Sequence, residues 1–244
     1  MTPDLTALLV VLVLALATMP VYAVSAARTA VDPHEVVDRG SFVLGGFIRS
    51  WFYWFIGPLV RISLALKLSP TFFNLLGVAF GVAAGAAFAT GHVTLGGLGV
   101  LLGGAADVFD GRIARARGMA DERGAFFDST LDRFAEVGAF VGLSVLFRDS
   151  ALALTLVVTA LGGSLLVSYA RARGESVGVL CKLGIMQRAE RLLLIGFAGL
   201  FDPAATRLMG WDQHMLLLGV MALVAVGTVG TAIFRTVWIA RRLS

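Results

Sequence analysis

The sequence predicts an all-α polytopic membrane protein, and three observations carry that prediction. Of the 244 residues, 58% are hydrophobic and 15% are charged, whereas soluble domains average about 45–50% apolar and 25% charged residues. The mean hydropathy is +0.87, and long apolar stretches recur along the whole chain. This composition excludes a soluble enzyme and a disordered chain. The 20 Lys and Arg against 16 Asp and Glu favour cytoplasmic loops beside anionic membrane lipids over a nucleic-acid partner.

Seven apolar stretches are each long enough to cross a bilayer, which takes about 20 residues. They are 6–27, 71–90, 94–116, 123–147, 151–173, 188–206 and 214–236. We predict an extra N-terminal transmembrane helix over 1–27 and a six-helix domain over 70–244. The first stretch could instead be a cleaved signal peptide, but no Lys or Arg precedes it, so we expect a retained helix.

Segment 28–69 is predicted to be cytoplasmic and interfacial. Its aromatic run at 51–55 is flanked by Arg49 and Arg61, which is typical of an amphipathic helix lying in the membrane surface. Ser69 and Pro70 then end this segment before the second span.

The orientation follows from the distribution of cations. If the first span starts outside, the three outer connections contain only Arg148 and Arg207 among the Lys and Arg residues. The positive-inside rule then places the polar regions 107–133 and 171–191 on the cytoplasmic side. Short connections favour a prokaryotic plasma membrane.

The ends of two adjacent spans concentrate acidic residues, which are costly there and usually functional. Four aspartates occur within one short stretch: Asp107, Asp110, Asp128 and Asp132. At 100° per residue, the first two share a helix face with Gly111, Ala114 and Arg115, and the last two form a stripe on the next helix. A short link makes these helices antiparallel neighbours, so we expect the two stripes to face each other.

Carboxylates brought together in this way repel one another unless cations neutralise them. Oxygen ligands without His or Cys select Mg²⁺ or Mn²⁺, and such ions serve phosphate-bearing substrates. Gly111 and Ala114 leave room for a bulky ligand, and Arg115 offers two hydrogen bonds to a phosphate. The residues therefore predict metal-dependent chemistry on a phosphate diester or anhydride. The alternative is a set of structural salt bridges, such as Asp128 with Arg112, which would require neither the glycines nor the spacing.

The pattern D-x-x-D-G-x-x-A-R, eight residues, then G-x-x-x-D-x-x-x-D, resembles the signature of the CDP-alcohol phosphatidyltransferase family. The resemblance covers at least residues 69–240. It implies a six-helix core and transfer of a phosphatidyl group from CDP-diacylglycerol to an alcohol, with release of CMP.

The resemblance also implies roles for individual residues. The four aspartates match the family's ligands for Mg²⁺ or Mn²⁺, with two ions expected, and Asp132 also matches the proposed base. The positions that contact the nucleotide and its phosphates are matched by Gly111, Ala114 and Arg115.

A second polar cluster indicates which alcohol accepts the group. Arg188 and Arg191 are three residues apart and share a helix face, and Arg171 precedes them. A cationic pocket suits an acceptor that already carries a phosphate. The segment resembles bacterial phosphatidylinositol-phosphate synthases, although Arg171, Gln187 and Ala189 depart from their pattern. We therefore expect inositol phosphate, with glycerol 3-phosphate as the alternative. The cations could also be ordinary cytoplasmic anchors.

Two other classes of protein compete with this interpretation. A divalent-metal transporter would place its acids near the bilayer midplane, within inverted repeats, and we find no repeat. A structural scaffold would use small-residue rows such as Gly77, Gly81 and Gly85. Such rows favour close helix contacts within one chain or between two chains. The sequence therefore leaves a homodimer as a possible assembly.

Overall fold

The computed structural model describes residues 3–26, 46–119 and 121–243, and all regular structure in those residues is α-helical. The helices are α1 (Pro3–Ala26), α2 (Gly46–Ala65), α3 (Pro70–Ala89), α4 (Val93–Ala116), α5 (Glu122–Leu146), α6 (Ala151–Ser176), α7 (Arg188–Met209) and α8 (Met215–Leu243). The predicted all-α fold is confirmed. The chain divides into two compact units, Met1–Leu68 and Ser69–Ser244.

The first unit joins the extra N-terminal helix to the aromatic-rich helix α2. The indole Nε1 of Trp51 donates a hydrogen bond to Oγ1 of Thr18 at 3.2 Å. The ring of Tyr22 packs against Phe47 and Trp54. Residues 28–45 of the predicted interfacial segment lie outside the described residues, and the interfacial position of α2 stays a prediction.

Five helices are long and apolar enough to cross a membrane: α3, α4, α6, α7 and α8. They confirm five of the seven predicted spans and make the protein an integral membrane protein. Helix α5 is too charged to join them, because its last 18 residues alone contain Asp132, Arg133 and Glu136. That α1 and α5 also cross the bilayer stays a prediction.

Helix α3 begins at the predicted break and packs between α4 and α5. Ser69 caps its N-terminus by accepting a hydrogen bond from the Phe72 amide at 3.1 Å, with Pro70 in the first turn. Two glycines let α3 approach α5: a Cβ at Gly81 or Gly85 would overlap the α5 backbone. The predicted small-residue row thus brings helices together within one chain.

The arrangement around α3 differs from the expected antiparallel pair of α4 and α5. These two helices contact each other much less than each contacts α3. Helix α7 packs against α4 and α8, and α6 packs against α8. At one end of this bundle, side chains of α4, α5 and α7 meet, and there the four predicted aspartates and Arg188 lie.

Candidate active site

Three of the four predicted aspartates form a compact cluster. Helix α4 carries Asp107 and Asp110, and α5 carries Asp128. One carboxylate oxygen from each of the three lies within 4.8 Å of the others. Asp110 is only 5% exposed. The structure therefore brings the two predicted acidic stripes together, although their helices contact each other only lightly.

The fourth aspartate, Asp132, joins the cluster through an arginine of α7. Arg188 Nη1 lies 2.9 Å from Asp107 Oδ1, and Arg188 Nη2 lies 2.6 Å from Asp132 Oδ1. Both distances are typical of strong charge-assisted hydrogen bonds. One planar guanidinium thus connects α4 and α5 at the site, and α7 supplies it from its first residue.

Four carboxylates gather at this site. Arg188 contacts two of them, and Arg133 approaches Asp132 to 4.0 Å. Carboxylates this close repel one another, so an added cation would relieve the repulsion. The ligands in the cluster are all carboxylate oxygens, which suit a hard divalent ion such as Mg²⁺ or Mn²⁺. The residues therefore fit the metal that the sequence predicted.

The cavity beside the cluster is built from four helices. Helix α3 contributes Asn74 and Gly77, and Asp107, Asp132 and Arg188 line the same space. Asn74 is a polar residue within an apolar helix, and its Oδ1 atom is buried without a hydrogen-bond partner in the structure. The α3 helix is thus part of the site as well as the spacer between α4 and α5.

The residues predicted to contact the nucleotide extend from the cluster along α4. Gly111 and Ala114 are half-buried, and Arg115 is exposed in the last turn of the helix. They follow Asp110 toward the C-terminal end of α4. Their contact with the nucleotide stays a prediction.

The three arginines predicted to bind the acceptor have different surroundings. Arg188 lies at the aspartates, as described above. Arg191 is buried, with its side chain 1% exposed and its Nη2 atom 2.8 Å from Glu136 Oε1. Arg171 lies on α6 and donates from Nε to Glu175 at 3.0 Å. The structure therefore brings only Arg188 to the acidic cluster, because Glu136 and Glu175 engage the other two.

Sequence reasoning missed two polar residues near this end of the bundle. Glu136 follows Asp132 by one helical turn on α5, and an acid at that spacing was a usable signal. Arg235 lies within the last apolar stretch, where an arginine is rare. It donates from Nε to the carbonyl of Leu183 at 2.8 Å and from Nη1 to that of Val167 at 2.9 Å. Arg235 thereby holds the connection before α7 against α8.

Apolar helices around a carboxylate cluster define an integral membrane protein whose site suits a divalent metal and a phosphate-bearing substrate. The family model for CDP-alcohol phosphatidyltransferase matches residues 67–238. The chain belongs to the CDP-alcohol phosphatidyltransferase family, and it is therefore a transferase of phospholipid biosynthesis.

Relatives of known function agree with this assignment. The chain is 33% identical over 212 residues to phosphatidylinositol phosphate synthase of Streptomyces avermitilis, covering 83% of this chain and 84% of the relative.

Two solved structures of phosphatidylinositol phosphate synthase from Mycobacterium tuberculosis are also similar. The structure with bound CDP-DAG has a TM-score of 0.65 and 27% identity, covering 75% of this chain and 92% of that one. The structure in complex with manganese and citrate has a TM-score of 0.65 and 28% identity, covering 74% and 88%.

Proposed function

We propose that the protein transfers a phosphatidyl group from CDP-diacylglycerol to an inositol phosphate and releases CMP. The observation that carries the proposal is the meeting of the aspartates of α4 and α5 with Arg188 of α7 at one site. Carboxylates can hold a metal ion that would neutralise the pyrophosphate of the donor, and an arginine beside them can bind the phosphate of an acceptor. The relatives named above support the same pair of substrates.

The metal site in this proposal consists of Asp107, Asp110, Asp128 and Asp132. Mg²⁺ or Mn²⁺, as two ions, would neutralise the charge of the donor's two phosphates. The manganese in the solved relative supports this choice of ion. Gly111, Ala114 and Arg115 would hold the nucleotide end of the donor, since they continue the same face of α4.

Asp132 is the proposed base of the reaction. The acceptor hydroxyl oxygen forms a bond to the phosphatidyl phosphorus while the bond from that phosphorus to the CMP oxygen breaks. The hydroxyl proton passes to the Asp132 carboxylate, and CMP leaves with the bonding electron pair. Arg188 lies 2.6 Å from Asp132, so a phosphate bound at Arg188 would bring the acceptor's hydroxyl groups close to the base.

The acceptor site in this proposal is centred on Arg188. Arg171 is exposed and remains a second proposed contact, because its bond to Glu175 lies on the surface of its own helix and can be exchanged for a phosphate at little cost. Arg191, paired with Glu136 and buried, would act on the acceptor only indirectly. We further propose that the site faces the cytoplasm of a prokaryotic cell, as the positive-inside rule predicts.

A panel of acceptors tests the proposal. The purified chain would be given CDP-diacylglycerol and Mg²⁺ with inositol phosphate, glycerol 3-phosphate, inositol or serine, and CMP release would be measured. We expect inositol phosphate to have the highest kcat/KM. A preference for glycerol 3-phosphate would replace the proposed acceptor, and a preference for an unphosphorylated alcohol would contradict the phosphate site itself.

A further inference from the structure

A buried ion pair lies one helical turn beyond the aspartate site. Glu136 follows Asp132 by four residues on α5, and Arg191 follows Arg188 by three residues on α7. Glu136 Oε1 accepts a hydrogen bond from Arg191 Nε at 2.9 Å and lies 2.8 Å from Arg191 Nη2, and both side chains are 1% exposed. Glu136 Oε2 accepts from Arg133 Nη1 of its own helix at 3.3 Å. Helices α5 and α7 are therefore joined by two successive ion pairs, one at the site and one behind it.

Arg191 also contacts the chain just before α7. Its Nη1 atom donates to the carbonyl of Met186 at 3.4 Å, and the Met186 amide donates to Thr231 Oγ1 of α8 at 3.2 Å. Arg191 thus connects Glu136 of α5 to the segment that leads into α7. Because Arg188 is the first residue of that helix, its location depends on how this first turn is held.

Stability alone does not explain the Glu136–Arg191 pair. A buried ion pair can often be replaced by apolar residues without loss of stability, because desolvation offsets the attraction between the charges. The close approach of the Arg191 guanidinium to Glu136 instead provides a defined distance between two helices that few direct backbone contacts connect. That distance sets how far Arg188 reaches across to α5.

We propose that Glu136 is a positioning residue. Through Arg191 it holds the first turn of α7, so that the Arg188 guanidinium reaches both Asp107 and Asp132. If the proposed function is right, the same placement presents Arg188 to the phosphate of the acceptor. Glu136 itself touches neither substrate.

A double-mutant cycle in metal binding tests this placement without using the reaction. The dissociation constant of Mn²⁺ would be measured for the full chain, for Glu136→Gln, for Arg188→Gln and for the double variant. Arg188→Gln should bind Mn²⁺ more tightly, because the guanidinium no longer competes for two carboxylates. Glu136→Gln should also tighten binding, by about threefold or more, because Arg188 is held less firmly. In the Arg188→Gln background, Glu136→Gln should have no further effect.

A matched control separates positioning from general loss of stability. Asp202 is another buried carboxylate of the bundle, which accepts from the Leu217 amide at 3.1 Å and contacts His214. Asp202→Asn should lower the thermal midpoint of unfolding and leave the Mn²⁺ constant unchanged. Arg191→Lys keeps the positive charge opposite Glu136 but lacks the planar guanidinium. It should therefore tighten Mn²⁺ binding as Glu136→Gln does, and it provides the test if Glu136→Gln folds poorly.

The outcomes distinguish this inference from the proposed function. Equal effects of Glu136→Gln with and without Arg188, or no effect of Glu136→Gln and Arg191→Lys, would overturn the positioning role. If the wild-type chain does not use inositol phosphate as a substrate, the proposed acceptor is wrong. The Mn²⁺-binding cycle would still test the positioning role of Glu136. Where inositol phosphate is the substrate, Glu136→Gln should raise its KM by about threefold or more, with the KM for CDP-diacylglycerol unchanged.

Discussion

Replacing Arg188 by alanine removes the guanidinium that bridges Asp107 and Asp132, and the consequences can be worked out from its two contacts. In the proposed complex, Arg188 exchanges at least one carboxylate contact for the acceptor phosphate, so the net interaction lost is about one charge-assisted hydrogen bond. Such a bond contributes about 1.5–3 kcal/mol. The KM for inositol phosphate should therefore rise by roughly 10- to 100-fold.

The KM for the donor should respond differently from the KM for the acceptor in Arg188→Ala. Its phosphates are assigned to the metal site and Arg115, so the KM for CDP-diacylglycerol should change little in Arg188→Ala. Lysine at the same position should restore acceptor binding only in part, because one ammonium cannot span Asp107 and Asp132 as the planar fork does. The measurement is CMP release with each substrate varied in turn.

Arg242 provides a matched control at the same predicted side of the membrane. It stacks on Trp238 and donates to the carbonyl of that residue on its own helix, so Arg242→Ala should leave both KM values unchanged. If Arg188→Ala keeps the wild-type KM for inositol phosphate, or if both KM values rise equally, Arg188 does not bind the acceptor phosphate and the reasoning fails.

Three further predictions concern the metal, the base and the helix packing. Chelation should abolish transfer, Mg²⁺ or Mn²⁺ should restore it, and Asp107→Asn or Asp128→Asn should each lower kcat at least about 10²-fold; full turnover in excess chelator would contradict the metal assignment. Asp132→Asn should still bind CDP-diacylglycerol in an equilibrium assay while losing turnover, whereas collapse of binding would make it a ligand rather than the base. Gly85→Ala should destabilise the protein by about 1–3 kcal/mol because its Cβ would overlap the α5 backbone, whereas Gly162→Ala, with open space around it, should leave thermal unfolding unchanged.

Local sequence signals were sufficient for the helices and for the acidic cluster. Apolar runs predicted the α3 and α4 boundaries to within about one residue, since a chain in lipid must satisfy its backbone hydrogen bonds within each helix. The spacing of Asp107 and Asp110 places both on one face of α4, and Asp128 follows on the next helix, so a bundle that brings these two faces to one end gathers the three carboxylates. The acidic cluster could be predicted because an apolar chain contains few polar residues.

Partners supplied by distant segments were not predictable. Arg191 shares a helix face with Arg188 in the sequence pattern, but its side chain pairs with Glu136, which lies 55 residues earlier. Likewise, nothing local to α3 indicates that it packs between α4 and α5. Both features depend on how whole helices are arranged, and helical periodicity specifies a face without specifying its neighbour.

The two ion pairs between α5 and α7 have different surroundings. Glu136 and Arg191 are both buried, and Glu136 also accepts a hydrogen bond from Arg133, so these charges are engaged within the bundle. One turn away, Arg188 contacts two of the neighbouring aspartates, and the side chains there remain partly open, 26% exposed at Asp107. Carboxylates gathered at low dielectric repel one another unless a cation neutralises them. The partly open acidic group is therefore where metal and substrate would bind, and the buried pair behind it gives that site a defined frame.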